Sequence, residues 1–239
     1  MSIKRKYHLA CILALSLISA VSAQRTGLSV SFGGATYAMD DMKYLQEQIL
    51  ASYPLEGAVL SSFPPYFTGS AQVVHQFLTH LRGGAGYSYS TTGGRSDYSD
   101  YSGNVETDML ATSHRFGVSL YYSILAGERL DLSLYGTADA HLSYLDITSN
   151  IFVLGYTSGI QNTYQSMSPS VSAGLELLYN FKESALGMEA GYLVDIPGDL
   201  SNRESGTDLL DPNDPDRILA TDWSGWRISI KGIVWIKGN

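Results

Sequence analysis

The sequence predicts an all-β protein: a closed, antiparallel, eight-stranded transmembrane β-barrel with a short helix in its first long loop. Three observations lead there. Apolar and polar residues alternate with period two over several long stretches. The connections between these stretches are alternately short and long. Beyond the N-terminal segment, no run of 18 apolar residues offers a spanning helix. Composition agrees. Hydrophobic residues make up 44% of the 239 residues and charged residues only 16%, against about 25% in an ordinary soluble domain. That excludes disorder, which needs low hydrophobicity and high charge. The formal net charge of −8 excludes nucleic acid as a partner, because a phosphate backbone selects a basic surface.

The first element is a segment to be removed. Lys4, Arg5 and Lys6 form a positive region, and Leu9 to Val21 an apolar one. Val21-Ser22-Ala23 closes it as a cleavage site, so residues 1–23 read as a signal peptide and residues 24–239 as the barrel. The apolar run is too short at about 1.5 Å per residue for a bilayer core of roughly 30 Å. Cys11, the single cysteine, lies inside it, so the exported part folds without disulfides.

Eight strands follow: Gly27–Tyr37, Tyr66–Phe77, Leu81–Thr91, Met109–Leu125, Leu130–Ile147, Ser168–Phe181, Ala185–Ile196 and Trp223–Ile236. In the fifth, Leu130, Leu132, Leu134, Ala138, Ala140 and Leu142 share one face. Asp131, Ser133, Thr137, Asp139, His141 and Ser143 share the other. Successive side chains of a strand point to opposite sides, so one face is oily and the other polar. The connections Leu78-Thr79-His80, Ala126-Gly127-Glu128-Arg129 and Lys182-Glu183-Ser184 are short. Those after the first, third, fifth and seventh strands are long and mostly polar. This asymmetry marks a barrel of the bacterial outer membrane with short turns in the periplasm. Aromatic residues gather near both strand ends, as two membrane interfaces favour: Tyr87, Tyr89, Tyr144, Trp223 and Trp226 at one, Tyr121, Tyr122, Tyr179 and Trp235 at the other. In the first long loop, Met42, Leu45, Ile49 and Tyr53 follow helical spacing, with Asp40 as cap and Pro54 as stop. The helix is predicted over residues 40–53, tucked against a loop or the rim to bury its stripe, the alternative being a lid or plug at the barrel mouth.

On these features the chain resembles the small outer-membrane β-barrels, the OmpA/OmpX-like membrane domains, over residues 24–239. It departs from their pattern in the helix and in the non-aromatic end Ile236-Lys237-Gly238-Asn239. The resemblance implies an integral protein among outer-membrane lipids, expected as a monomer without cofactor.

The candidate site is the polar interior. An eight-stranded barrel is about filled by its own side chains, so charges inside must pair. Arg115, Asp139, Glu176, Glu189, Arg227 and Lys231 are read as a lumen salt-bridge network. A tight turn makes residue numbers on the fourth and fifth strands sum to about 254, which sets Arg115 opposite Asp139; Lys231 is set beside Glu189. Asp139, His141 and Ser143 contain the residue types of a catalytic triad, and His141-Leu142-Ser143 resembles the His-x-Ser of outer-membrane lipid A deacylases. Those enzymes work from the lipid-facing surface, whereas the alternation points these residues inward. No catalytic or metal site is assigned; the segment Asp195–Asp222 reads as a solvated acidic loop. Tyr98 and Tyr101 in the loop Thr92–Glu106 are the candidates for contact with an extracellular partner. A non-enzymatic barrel with a structural or partner-binding role is thus expected, the alternatives being a lipid-modifying enzyme and a narrow pore.

Overall fold

The computed structural model describes residues 25–51, 58–101, 103–153 and 156–236. The expected signal peptide, Tyr53, Pro54 and the last three residues lie outside them. The elements in chain order are β1 (Arg25–Ala35), α1 (Asp40–Ala51), β2 (Ala58–Ser62), β3 (Tyr66–Leu78), β4 (Leu81–Asp100), β5 (Gly103–Ala126) and β6 (Leu130–Val153). Then come β7 (Tyr156–Asn180), β8 (Ser184–Asp195), β9 (Ser201–Asn202), β10 (Leu210–Asp211), β11 (Asp214–Ile218) and β12 (Gly225–Ile236).

Eight of these strands form a closed antiparallel ring, β1-β3-β4-β5-β6-β7-β8-β12, with β12 returning to β1. Closure pairs every strand on both sides, which satisfies the backbone where no water can. The outside is an apolar belt. Phe116, Val118, Leu120 and Tyr122 on β5 are each more than half exposed, as are Leu28, Phe32, Ile228, Ile230 and Val234 on the adjoining β1 and β12. A soluble protein rarely shows apolar patches beyond a few hundred Å²; a lipid-facing barrel wall consists of them. The inside is mostly small and polar. Ser29, Ser90, Ser113, Ser133, Ser143 and Ser168 are all buried. Glycines face inward where large side chains cross the lumen: a Cβ on Gly191 would run into the Tyr135 hydroxyl.

The strands come in two lengths. β1, β3, β8 and β12 have 11 to 13 residues, close to the roughly 9–11 that cross a bilayer. β4, β5, β6 and β7 have 20 to 25 and rise well past the rim. The expected loop Thr92–Glu106 is therefore a hairpin: β4 and β5 stay paired to Asp100↔Gly103. Likewise β6 and β7 stay paired to Val153↔Tyr156. The polar composition that suggests a loop is that of strands whose outer face meets water instead of lipid. Above the rim, β2 takes the place of β3 beside β4, and β9 that of β8 beside β7.

The inner face of this tower changes character. Within the belt it is mostly polar, with one small apolar cluster of Val74, Leu178, Ala185 and Ile233 toward the short-turn end; above it Met109, Ala111, Leu145 and Ile147 point inward. They pack with Met42, Leu45 and Ile49 of α1, with Phe63, and with Leu200, Leu209, Leu219 and Trp223 of the β8–β12 connection. The helix thus seals the barrel mouth with an apolar core, a larger role than burying its own stripe at the rim. The β8–β12 connection is docked rather than freely solvated. Asp41 pairs with Arg217 and accepts from the Ala220 amide at 3.0 Å. The Tyr44 hydroxyl donates to Asp211 at 3.1 Å.

Candidate functional site

The polar interior forms three layers, beginning at the short-turn end. Glu176 on β7 and Glu189 on β8 face each other in register. Two adjacent carboxylates repel, and cations from other strands separate them. Lys231 of β12 places its Nζ 2.6 Å from Glu176 Oε2 and 2.6 Å from Glu189 Oε1. Arg82 of β4 closes on the other oxygen of Glu176. Tyr121 completes the layer. Its hydroxyl accepts from Lys231 at 2.9 Å. Its ring lies 4.2 Å from the Lys231 ammonium and 4.4 Å from the Arg82 guanidinium, within cation–π range. Glu176 and Lys231 are essentially inaccessible to solvent. Two positive and two negative charges balance, which is how charges survive burial.

The second layer contains Arg115, Asp139, Tyr135 and Arg227 around a cavity of about 70 Å³. Here the register corrects the sequence reading. Residue pairs on β5 and β6 run two positions away from the expected alignment: Arg115 lies opposite His141, and Gly117 opposite Asp139. The shift comes from the hairpin, whose ladder ends at Ala126↔Asp131 with an irregularity between Ser123 and Leu125. An even shift keeps both side chains inside but moves them apart, and among the described residues no ion pair joins Arg115 to Asp139. Asp139 accepts from Thr137 at 2.7 Å. Arg227 makes two long contacts, to Ser90 Oγ and the Trp223 carbonyl, both at 3.3 Å.

The third layer is hydrogen-bonded and lies beneath the cap. His141 is fully buried between Ser170, 2.7 Å from its Nε2, and Ser113, 3.3 Å from its Nδ1. Both ring nitrogens are thus occupied by hydroxyls, and no hydrogen bond joins His141 to Asp139 or Ser143. The paper triad is not assembled. Ser143 instead accepts from Trp223 Nε1 at 2.8 Å. Trp223 also meets the Tyr37 ring edge-on with centroids 5.1 Å apart. Asp195 accepts from Ser168 at 2.9 Å and from the Trp223 amide at 3.2 Å, which anchors this plug.

Of the two tyrosines singled out for contact, only Tyr101 is fully exposed; Tyr98 is buried on the inner side of the β4–β5 hairpin. Outside the same hairpin Arg95 donates to Asp108 through Nε at 2.6 Å and Nη2 at 2.7 Å. These bonds hold its guanidinium protonated beyond the usual arginine range.

Sequence reasoning missed three members of the site. Arg82 sits one residue past a turn, where a charge reads as solvated; its signal is the inward series Gly84, Gly86, Ser88 and Ser90 that continues from it. Tyr121 and Trp223 read as interface aromatics, yet both are buried inside. Counting phase along β5 from Arg115 would have turned Tyr121 inward. Nothing in the local sequence marks Trp223 as a plug.

A closed ring, a belt of lipid-compatible side chains and a polar, filled interior occur together only in a membrane environment. The fold is that of an outer-membrane β-barrel. No known protein family matches the chain, and no curated protein does. Among solved structures, it is similar to Ail, the attachment invasion locus protein of Yersinia pestis, at 13% identity over 90% of this chain and 99% of that one, with a TM-score of 0.38. A major outer membrane protein from Thermus thermophilus gives 12% identity over 88% and 99%, with a TM-score of 0.49. The outer membrane protease OmpT from Escherichia coli gives 9% over 89% and 96%, with a TM-score of 0.35. The fold assignment rests on the hydrogen-bonded ring and its two faces.

Any path through the barrel meets two barriers. A vestibule of about 630 Å³ opens at the short-turn end and reaches Arg82. Beyond it stand the ionic layer and then the Trp223 plug. The purified protein is expected to give no sizeable conductance in planar bilayers. Stable large channels would contradict the closure described here.

Proposed function

We propose that the chain is a non-enzymatic, monomeric protein of the bacterial outer membrane whose long-hairpin end is an extracellular contact surface. The observation that supports this most is the tower. Four strands continue past the belt as a sheet with its own apolar core, helix cap and docked connection. A barrel needing only a membrane anchor has no use for that investment; a rigid scaffold that holds contact residues away from the lipid surface does. Its outer side offers a shallow groove lined by Arg95, Asp108, Leu110, Asp146 and Gln161, and its tip carries Tyr101. The closed ring leaves no free edge in the belt to recruit a second copy.

The lipid-modifying alternative would need a nucleophile and base converging on the lipid-facing wall. His141 and its serine partners face the opposite way.

The experiment uses Tyr101→Cys in cells producing the full protein. A membrane-impermeant maleimide should label it on intact cells, and lipid A from those cells should have the mass it has without the protein. Labelling only after the cells are opened, or an altered lipid A mass, would contradict the proposal.

A further inference from the structure

On the outer wall, Phe116 of β5 and Met167 of β7 are 58% and 73% exposed and face lipid. Rings and cations gather at their upper edge. The Tyr87 hydroxyl lies 2.7 Å from His114 Nδ1. The Tyr89 and Tyr144 rings meet the imidazole edge-on, with centroids 5.5 and 5.8 Å away. With Nδ1 accepting from Tyr87, the ring proton sits on Nε2. Arg203 follows β9 and is fixed by its amide, which donates to the Thr163 carbonyl at 2.9 Å. Its guanidinium lies 5.7 Å from the Tyr144 ring centre, within cation–π range. Among the described residues, neither His114 Nε2 nor the Arg203 guanidinium has a hydrogen-bond or ion-pair partner.

Asp146 stands two residues above Tyr144, about 5 Å higher on a strand tilted by about 40°. There the outer groove begins, about 640 Å³ in volume and lined by Arg95, Asp108, Leu110, Asp146, Thr148 and Gln161. Small-molecule sites usually measure roughly 300–1,000 Å³. Arg95 neutralises Asp108 through two hydrogen bonds. Thr163 donates to Oδ1 of Asp146 at 2.6 Å. The second oxygen of Asp146, the Thr148 hydroxyl and the Gln161 amide stay open to a ligand, among the described residues.

The wall therefore presents apolar surface, then unpaired cationic donors, then carboxylate, hydroxyl and amide groups suited to sugar hydroxyls. A ligand matching that order has acyl chains, a phosphate and a saccharide. A phospholipid ends at the phosphate level, and a soluble sugar has nothing to place against Phe116 and Met167. We propose that the outer face of β4–β7 seats one phosphorylated glycolipid of the outer leaflet, its phosphate on Arg203 and His114 and its sugar in the groove. This rests on the outward placement of the long hairpins proposed above.

Native mass spectrometry tests it on the full barrel in detergent, stripped of lipid and titrated with diphosphoryl lipid A. One copy should bind, roughly tenfold or more tighter than phosphatidylglycerol, which has the phosphate without the saccharide. Arg203→Gln combined with His114→Gln should weaken lipid A by roughly tenfold or more, the worth of a lost charge-assisted hydrogen bond. Lys182→Gln, at the opposite mouth, should leave it unchanged. Gln161→Leu should weaken lipid A and not phosphatidylglycerol. Equal affinity for the two lipids would overturn the proposal, as would lipid A binding that ignores the double variant. Where a variant does not fold, the two lipids on the unaltered chain decide. Binding in detergent is independent of which way the barrel faces in the cell, so its failure leaves the Tyr101 labelling to judge the proposed function separately.

Discussion

Replacing Lys231 with methionine is expected to destabilise the folded barrel by roughly 3–5 kcal/mol, the usual cost of stranding buried charges. The ammonium sits between Glu176 and Glu189 at 2.6 Å from each. Without it, two carboxylates paired in register face each other, with Arg82 left to neutralise one. Methionine fills a similar volume, so the loss reports charge rather than a cavity. Adding Glu189→Gln should recover most of the stability, because Arg82 and Glu176 then remain as a balanced pair. Urea unfolding in detergent micelles measures both. Losses that simply add in the double variant would show that the three side chains do not form one unit.

The second large effect is expected at the other end. Trp223→Ala should cost roughly 3–5 kcal/mol, as for other fully buried aromatics, and the cost should be local. Trp223 joins α1 and the β8–β12 connection to the barrel through Ser143, Tyr37 and the apolar core. Removing it should speed amide exchange in residues 40–51 and 200–220, while β5 and β6 within the belt keep their protection. The ionic layer stays intact, so the variant should still not conduct. Unchanged protection of α1 would mean that the cap is held by something other than this plug.

The two ends differ in how far the sequence revealed them. Inside the belt one rule governs most positions, apolar toward lipid and polar toward lumen, with the inward cluster Val74, Leu178, Ala185 and Ile233 as the exception. The alternation through Leu130–Tyr144 therefore places every side chain on the correct face. Register is harder, because an irregularity of one or two residues in a hairpin leaves local alternation intact. The 123–131 region does this, and it moves Asp139 from opposite Arg115 to opposite Gly117. Above the rim the rule reverses. Met109 and Leu145 turn inward onto α1 while Asp108 and Asp146 meet water, so the strands no longer read as barrel strands and the segment resembles loop. The helix was legible because Met42, Leu45 and Ile49 keep a stripe whatever covers them. What covers them was not, since the contacts join distant parts of the chain: Tyr44 and Asp211 stand 167 positions apart.

The central claim is a barrel whose β5 wall alternates between lipid and a filled interior. Spin labels at single cysteines introduced along residues 113–120 test it in bilayers. Labels at 114, 116, 118 and 120 should be relaxed by oxygen, which concentrates in lipid. Labels at 113, 115, 117 and 119 should be shielded from both oxygen and a water-soluble nickel chelate. A period-two pattern of that phase is the predicted result. The opposite phase, or nickel access at the odd positions, would contradict it.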